Sequence, residues 1–140
     1  MTADEIIAAL NLSAHPEGGW FRETWRADTK DSERASGTAI FYLLKAGEHS
    51  HWHRVDATEI WHYHAGAPLK LSISKDGKAQ QDLILGPDLN SGHKPQLIVP
   101  PHAWQAAQSL GDFTLVGCTV SPAFEFSGFE MAPENWTPKA

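Results

Sequence analysis

Between residues 50 and 66 the chain reads SHWHRVDATEIWHYHAG, four histidines with one glutamate among them. Three kinds of behaviour fit such a set. The side chains can hold a divalent metal, work as a general acid and base, or sit as polar groups on an otherwise inert strand. Which of these applies depends on the faces they occupy. Side chains alternate across an extended chain, so His49, His51 and His53 are expected on one face. In the next segment Glu59, Trp61 and Tyr63 share a face, and Thr58, Ile60, His62 and His64 point the other way. The two histidine groups therefore cannot all surround one centre.

An open catalytic metal site needs about three firm protein ligands. His53 and Glu59 supply two, Gln105 offers only a weak amide oxygen, and His51 joins only if the backbone shifts. The candidate ligand set for a divalent metal is thus His51, His53, Glu59 and Gln105, and tight metal binding is not favoured. An acid and base pair needs fewer parts. In a pocket walled by Trp61, Tyr63 and Trp104, burial raises the pKa of Glu59 while a charged His53 lowers it. Such a pair can be poised near neutrality and move a proton on a carbon next to a carbonyl. The structural alternative makes Glu59 the partner of Arg22, Arg26 or Arg54 in a buried ion pair.

Other residues fit a ligand-binding role. Arg22, on the face of Trp20, can grip a phosphate or carboxylate through two parallel bonds, whereas Arg26 reads as solvated. Flat indole faces at Trp20, Trp61 and Trp104 suit sugar rings or nucleobases. His15, His49, His64 and His93 read as turn or surface residues, and His102 as an exposed turn residue.

The elements that would position these groups are mostly strands. Residues 2–10 read as a short helix with Thr2 as cap and Glu5 completing a capping box. After a turn at His15, Pro16, Gly18 and Gly19 come about eight short strands: WFRETWR, TAIFYLLKAG, TEIWHYH, PLKLSIS, KAQQDLIL, PQLIVP, WQAAQS and FTLVGCTV. An aromatic tail follows. Many turns, with 11 Gly and 9 Pro in 140 residues, favour a β-rich jelly roll or related barrel over a helical bundle. One domain over residues 1–140 is expected.

A net charge of −6 leaves no basic patch for nucleic acid, and no apolar run approaches a membrane span. The N-terminus lacks the features of a secretory signal, and Cys118, the only cysteine, sits in an apolar strand. A cytoplasmic protein is expected, and apolar strands in so aromatic a chain favour a homodimer. The sequence motifs of serine hydrolases, P-loop nucleotidases, zinc proteases and dinucleotide enzymes are missing.

Gly47, His53, Glu59 and Gly66 match the spacing of the first motif of the cupin superfamily, with Val55 where its second histidine stands. Pro100 to Gln105 resembles the second motif, with His102 in place of glycine and Gln105 in place of the ligand histidine. Two of the four ligand positions are therefore altered. HPEGGWFRET, WHRVDATEIWHYHAGAPL, PQLIVPPHAWQAA and LVGCTVSPAFEFSGFEM together resemble the cupin-5 family, similar in fold to the dTDP-sugar 3,5-epimerases. The resemblance implies an all-β fold, a double-stranded β-helix (cupin jelly-roll barrel) with a short N-terminal helix, usually dimeric. Those epimerases use a histidine base and a tyrosine acid without metal, and His53 and Tyr63 are the counterparts here. The expected function is binding of a small polar ligand, a sugar or sugar nucleotide, with epimerase or isomerase chemistry. His53, Glu59 and Tyr63 would be catalytic, and Arg22, Trp61, Trp104 and Gln105 would bind the ligand. The alternatives are a metal-dependent cupin oxygenase or isomerase, and a non-catalytic binding module.

Overall fold

The computed structural model describes residues 1–139. Its one α-helix, α1 (Ala3–Leu10), starts as the sequence requires: the Thr2 hydroxyl accepts the Glu5 N–H at 3.2 Å, and the Glu5 carboxylate accepts the Thr2 N–H at 3.1 Å. Two of the four open helical N–H groups at that end are thereby engaged. Ile6 anchors the helix against Leu12 and Leu43.

Branched and aromatic residues alternating with polar ones build two antiparallel sheets. The first runs in the order β1 (Ser13–Ala14), β2 (Trp20–Arg26), β3 (Thr38–Lys45), β10 (Phe113–Ser121), β5 (Thr58–Gly66), β8 (Gln96–Val99). The second runs β11 (Phe129–Met131), β4 (His49–Val55), β9 (Trp104–Ser109), β6 (Leu69–Ser74), β7 (Gln81–Leu85). The eight strands legible in the sequence are all present. The tail adds an edge strand, β11, by pairing Met131 with His53 and Phe129 with Val55.

Two bulges change which side chains face inward. In β4, Ser50 lies opposite Ala107 and His53 opposite Gln105, three residues spanning what two span on β9. An extra residue reverses the alternation, so Ser50, His53 and Val55 are buried. His51 is turned out, its Nε2 within 3.0 Å of the Pro133 carbonyl. The expectation that His51 and His53 share a face is therefore corrected. In β2 the register slips between Glu23 and Trp25, which pair with Ile40 and Ala39. Arg26 thereby replaces Trp25 on the face of Phe21 and Glu23.

The space between the sheets is divided. Leu44, Trp61, Leu69, Leu71, Leu85 and Val116 fill one part, and burial of each such leucine contributes about 2 kcal/mol. The other part is open and holds the site described below.

The turn from β1 to β2 crosses the mouth of the barrel. The His15 N–H bonds to the Gly19 carbonyl at 2.9 Å, and the His51 N–H bonds to the Glu17 carbonyl at 2.8 Å. Gly18 has φ +105°, and a Cβ there would run into the His49 carbonyl; Gly47 has φ +81° but open space around it. Gly47→Ala is therefore expected to cost only the left-handed strain, about 1–2 kcal/mol. Gly18→Ala adds a backbone clash and should cost about 3 kcal/mol or more. Thermal unfolding of the two variants checks this: Gly18→Ala should fall at least about twice as far in Tm, and equal losses would contradict the close approach.

Candidate functional site

A cavity of about 510 Å³ opens between the sheets. Its wall draws Phe21, Glu23 and Arg26 from β2, Thr38 and Ile40 from β3, and His53 and Val55 from β4. Glu59 comes from β5, Cys118 and Val120 from β10, His15 and Glu17 from the β1–β2 turn, and Phe124 to Phe126 from the tail. Glu17, His53 and Glu59 are all more than nine-tenths buried.

The hydrogen bonds of these groups fix where protons sit. His53 Nδ1 lies 2.6 Å from the His51 carbonyl oxygen, which can only accept, so Nδ1 carries a hydrogen. Nε2 then faces Glu17 Oε2 at 3.1 Å. A bare imidazole nitrogen and a carboxylate oxygen are both acceptors, so a bond at this distance requires one shared proton. Burial pushes Glu17 up and His53 down, so each is harder to charge than in water. His15 accepts the Glu17 N–H on Nδ1 at 3.0 Å, and burial also lowers its pKa.

Glu59 is held differently. The indole N–H of Trp61 donates to Gln105 Oε1 at 2.9 Å, which turns the amide so that Nε2 donates to Glu59 Oε1 at 2.9 Å. Because the indole only donates, the amide cannot usefully flip. A proton on neutral Glu59 therefore belongs on its second oxygen. Burial raises Glu59 to about 7, with His53 and the Gln105 bond opposing and Glu17 reinforcing the rise. Cys118, beside it, is raised well above the ordinary thiol range, chiefly by burial.

The mouth is framed by phenyl rings and ion pairs. Arg26 donates to both oxygens of Glu23, at 2.8 and 3.3 Å, and to the Phe124 carbonyl at 2.9 Å. Arg34 grips Asp56 at 2.7 and 3.0 Å and donates to the Ala123 carbonyl at 2.8 Å, tying the tail to the β4–β5 turn.

His53 and Glu59 thus lie on the wall of one cavity. Several other sequence-derived candidates do not. Tyr63 shares the face of Glu59 but stands four residues further along the strand, roughly 13 Å away. Its hydroxyl donates to the Gly66 carbonyl at 2.6 Å. Trp61 and Gln105 are buried behind Glu59 and support it rather than line the space. Trp104 points outward, with its ring 4.7 Å from Trp136 and the Arg54 guanidinium 4.5 Å above it. Arg22 lies outside over Phe41. The alternative of an arginine ion pair for Glu59 is not what forms: Arg26 pairs with Glu23, and Arg54 with Glu130. Glu17, His15 and Arg26 were missed as wall residues. The glycines after Glu17 were the one signal, since a tight turn beside a strand can press a side chain inward.

The candidate metal ligands do not converge. His51 faces away, both amide atoms of Gln105 are engaged, and Val55 offers no lone pair. Among the described residues no three His, Cys, Asp or Glu side chains form a set that could hold a metal ion. The donors present do not fit one.

Two antiparallel sheets closed over a cavity, with one short helix at the N-terminus, define a cupin jelly roll. Residues 4–132 match the Cupin_5 family, described as Cupin superfamily (DUF985), and the chain belongs to that family. It is 39% identical to a protein of Shewanella oneidensis solved by X-ray crystallography, with a TM-score of 0.90 over 94% of this chain and 85% of the other. A hypothetical protein from Leishmania major is 30% identical, with a TM-score of 0.88 over 97% and 90%. Oxalate decarboxylase of Bacillus subtilis shares the fold at 12% identity and a TM-score of 0.64, over 85% of this chain and 29% of its own. No curated protein matches the chain significantly. No helix among the described residues is long and apolar enough to cross a membrane.

Glu59 gives this site a measurable signature. Between the ordinary value of 4.5 and about 7 the folded chain keeps a proton that the unfolded chain has released. Its contribution to stability therefore falls as pH rises through that window, by about 3 kcal/mol in all. His15 and His53, held low, act oppositely: below 6.5 the unfolded chain takes up protons they refuse, and stability falls as pH falls. Comparing wild type with Glu59→Gln isolates the carboxyl. The Tm of the variant relative to wild type should rise by about 10 °C between pH 5 and pH 8, at roughly 3–4 °C per kcal/mol. A constant difference would show that Glu59 titrates normally.

Proposed function

We propose that the cavity binds a small polar molecule and moves a proton on it, in an epimerase- or isomerase-type reaction. The observation that carries this reading is the convergence on one enclosed wall of Glu59 and the proton-sharing Glu17–His53 pair. A carboxyl raised to about 7 both takes and gives a proton near neutral pH, which is what abstraction next to a carbonyl and return to the opposite face demand. Two proton holders, each felt electrostatically by the other, supply the two roles. Glu17 takes the place that the sequence reading gave to Tyr63, whose hydroxyl is committed elsewhere. Cavities of 300–1,000 Å³ are usual for small ligands, and 510 Å³ admits a molecule of sugar size.

The same reading keeps the chain as a cytoplasmic homodimer. Support for pairing comes from Trp25, Ile98 and Phe126, large apolar side chains each more than half exposed.

The test is exchange of carbon-bound hydrogen in heavy water, followed by NMR with a panel of sugars and sugar derivatives. Wild type should exchange at least one member. Glu59→Gln and His53→Asn should each slow that exchange by about 10²–10⁴-fold. Ligand-dependent stabilisation without any exchange would instead establish a non-catalytic binding module.

A further inference from the structure

The charges around the cavity choose between ligand classes. At the mouth, Glu23 is matched by Arg26, which also donates to the Phe124 carbonyl, and Glu125 lies 3.6 Å from Arg34. On the floor, Glu17 and His53 together hold one proton and sum to no net charge whichever of them carries it. Burial disfavours the charged form of His15, and the same holds for the thiol of Cys118. Tyr42, beneath the turn, donates to the Gly18 carbonyl and stays neutral because burial and Glu17 raise its pKa. Among the described residues Glu59 has no arginine or lysine opposite it, and the imidazole it faces, His53, is one whose charged form burial disfavours. One of its oxygens takes the Gln105 amide, and beyond that bond the carboxyl has only the weak thiol donor of Cys118 beside it. An anion entering here meets four glutamates, and the one arginine on the wall, Arg26, already has its charge paired with Glu23.

We infer that the cavity takes a small organic amine, bound as its ammonium against Glu59 with its carbon skeleton on Phe21, Phe124 and Phe126. This rests on the reading of the cavity as the functional site but not on its reaction. It departs from the sugar nucleotide expected from the sequence, because a diphosphate would lie among carboxylates and compete with Glu23 for the wall's one guanidinium, Arg26. An ammonium ion instead completes a charge pair that the protein leaves open, and phenyl rings attract cations as well as apolar carbon. A buried charge with its partner missing is costly, so ligand entry and ionisation of Glu59 are coupled. Binding an amine near neutral pH must therefore release a proton, whereas binding an anion must take one up.

Matched probes test this on the full chain at 0.15 M salt and pH 7: cyclohexylmethylamine, phenethylamine and D-glucosamine against cyclohexanecarboxylate, phenylacetate and D-glucuronate, with UDP-glucose as the nucleotide. At 10 mM at least one amine should raise Tm and bind at least 10-fold more tightly than its carboxylate counterpart. Calorimetry in phosphate and in HEPES should show about half a proton released per site. Glu59→Gln, checked for folding by circular dichroism, should weaken that amine at least 10-fold and abolish the proton release, which loose attraction to an acidic surface would not do. Tighter binding of a carboxylate or of UDP-glucose, proton uptake, or no amine shifting Tm beyond its counterpart would each overturn the inference. Amine binding without isotope exchange would leave it standing and remove the proton-transfer reading. Exchange on an anionic sugar would do the reverse.

Discussion

The contact between His53 Nε2 and Glu17 Oε2 is a constraint that much of the barrel serves. Two groups that each prefer water are held in a space where neither can be charged cheaply, and only the proton between them makes the arrangement tolerable. Removing one partner of such a buried pair typically costs about 3–5 kcal/mol. The fold meets the condition from two sides. The bulge in β4 aims His53 inward and leaves the His51 carbonyl where it fixes the ring's tautomer. The turn that carries Glu17 is pinned by the His51 N–H, by the Tyr42 hydroxyl and by the close approach of Gly18 to β4.

A second wall separates this polar chamber from the packed leucines. Trp61 belongs to the apolar cluster through its ring and to the chamber through its N–H, which grips Gln105. The chain Trp61, Gln105, Glu59 carries orientation from a rigid side chain to a reactive one. An indole has one donor and no acceptor, so the amide has a single useful setting and the carboxyl inherits it. Hydrogen-bonded chains of this kind in a low-dielectric interior hold geometry firmly, and they do so only when every member is satisfied.

Much of the fold was legible because it follows from local pattern: alternation in WFRETWR and PLKLSIS, the capping box at Thr2 and Glu5, and turn residues between the strands. The sharing of a face by Glu59, Trp61 and Tyr63 also followed from a period of two. What failed was whatever depended on phase or on long-range docking. A single inserted residue in β4 sent His51 out, and another in β2 put Arg26 on the cavity face, and neither bulge leaves a mark in composition. Tyr63 shows that a shared face is not a shared site, because distance along a strand grows with every residue. Glu17 was hidden for another reason: its burial comes from a turn folding onto β4, which no periodicity reports.

The departures from the cupin motif acquire a physical sense once these neighbours are known. A metal centre at this end of the barrel would need lone pairs from the positions held by Val55 and Gln105. One offers a methyl surface, and the other has its oxygen taken by an indole and its nitrogen turned to Glu59. Those replacements would leave Glu59 stranded without a cation if nothing else changed. Instead Gln105 supplies a donor to one oxygen, and Glu17 enters from outside both motifs to occupy the histidine. The carboxyl that a metal would have held ionised is left close to neutrality, free to gain or lose a proton. With Gln105 bonded to one oxygen of Glu59 and the turn that carries Glu17 docked against His53, this end of the barrel is arranged to hold protons.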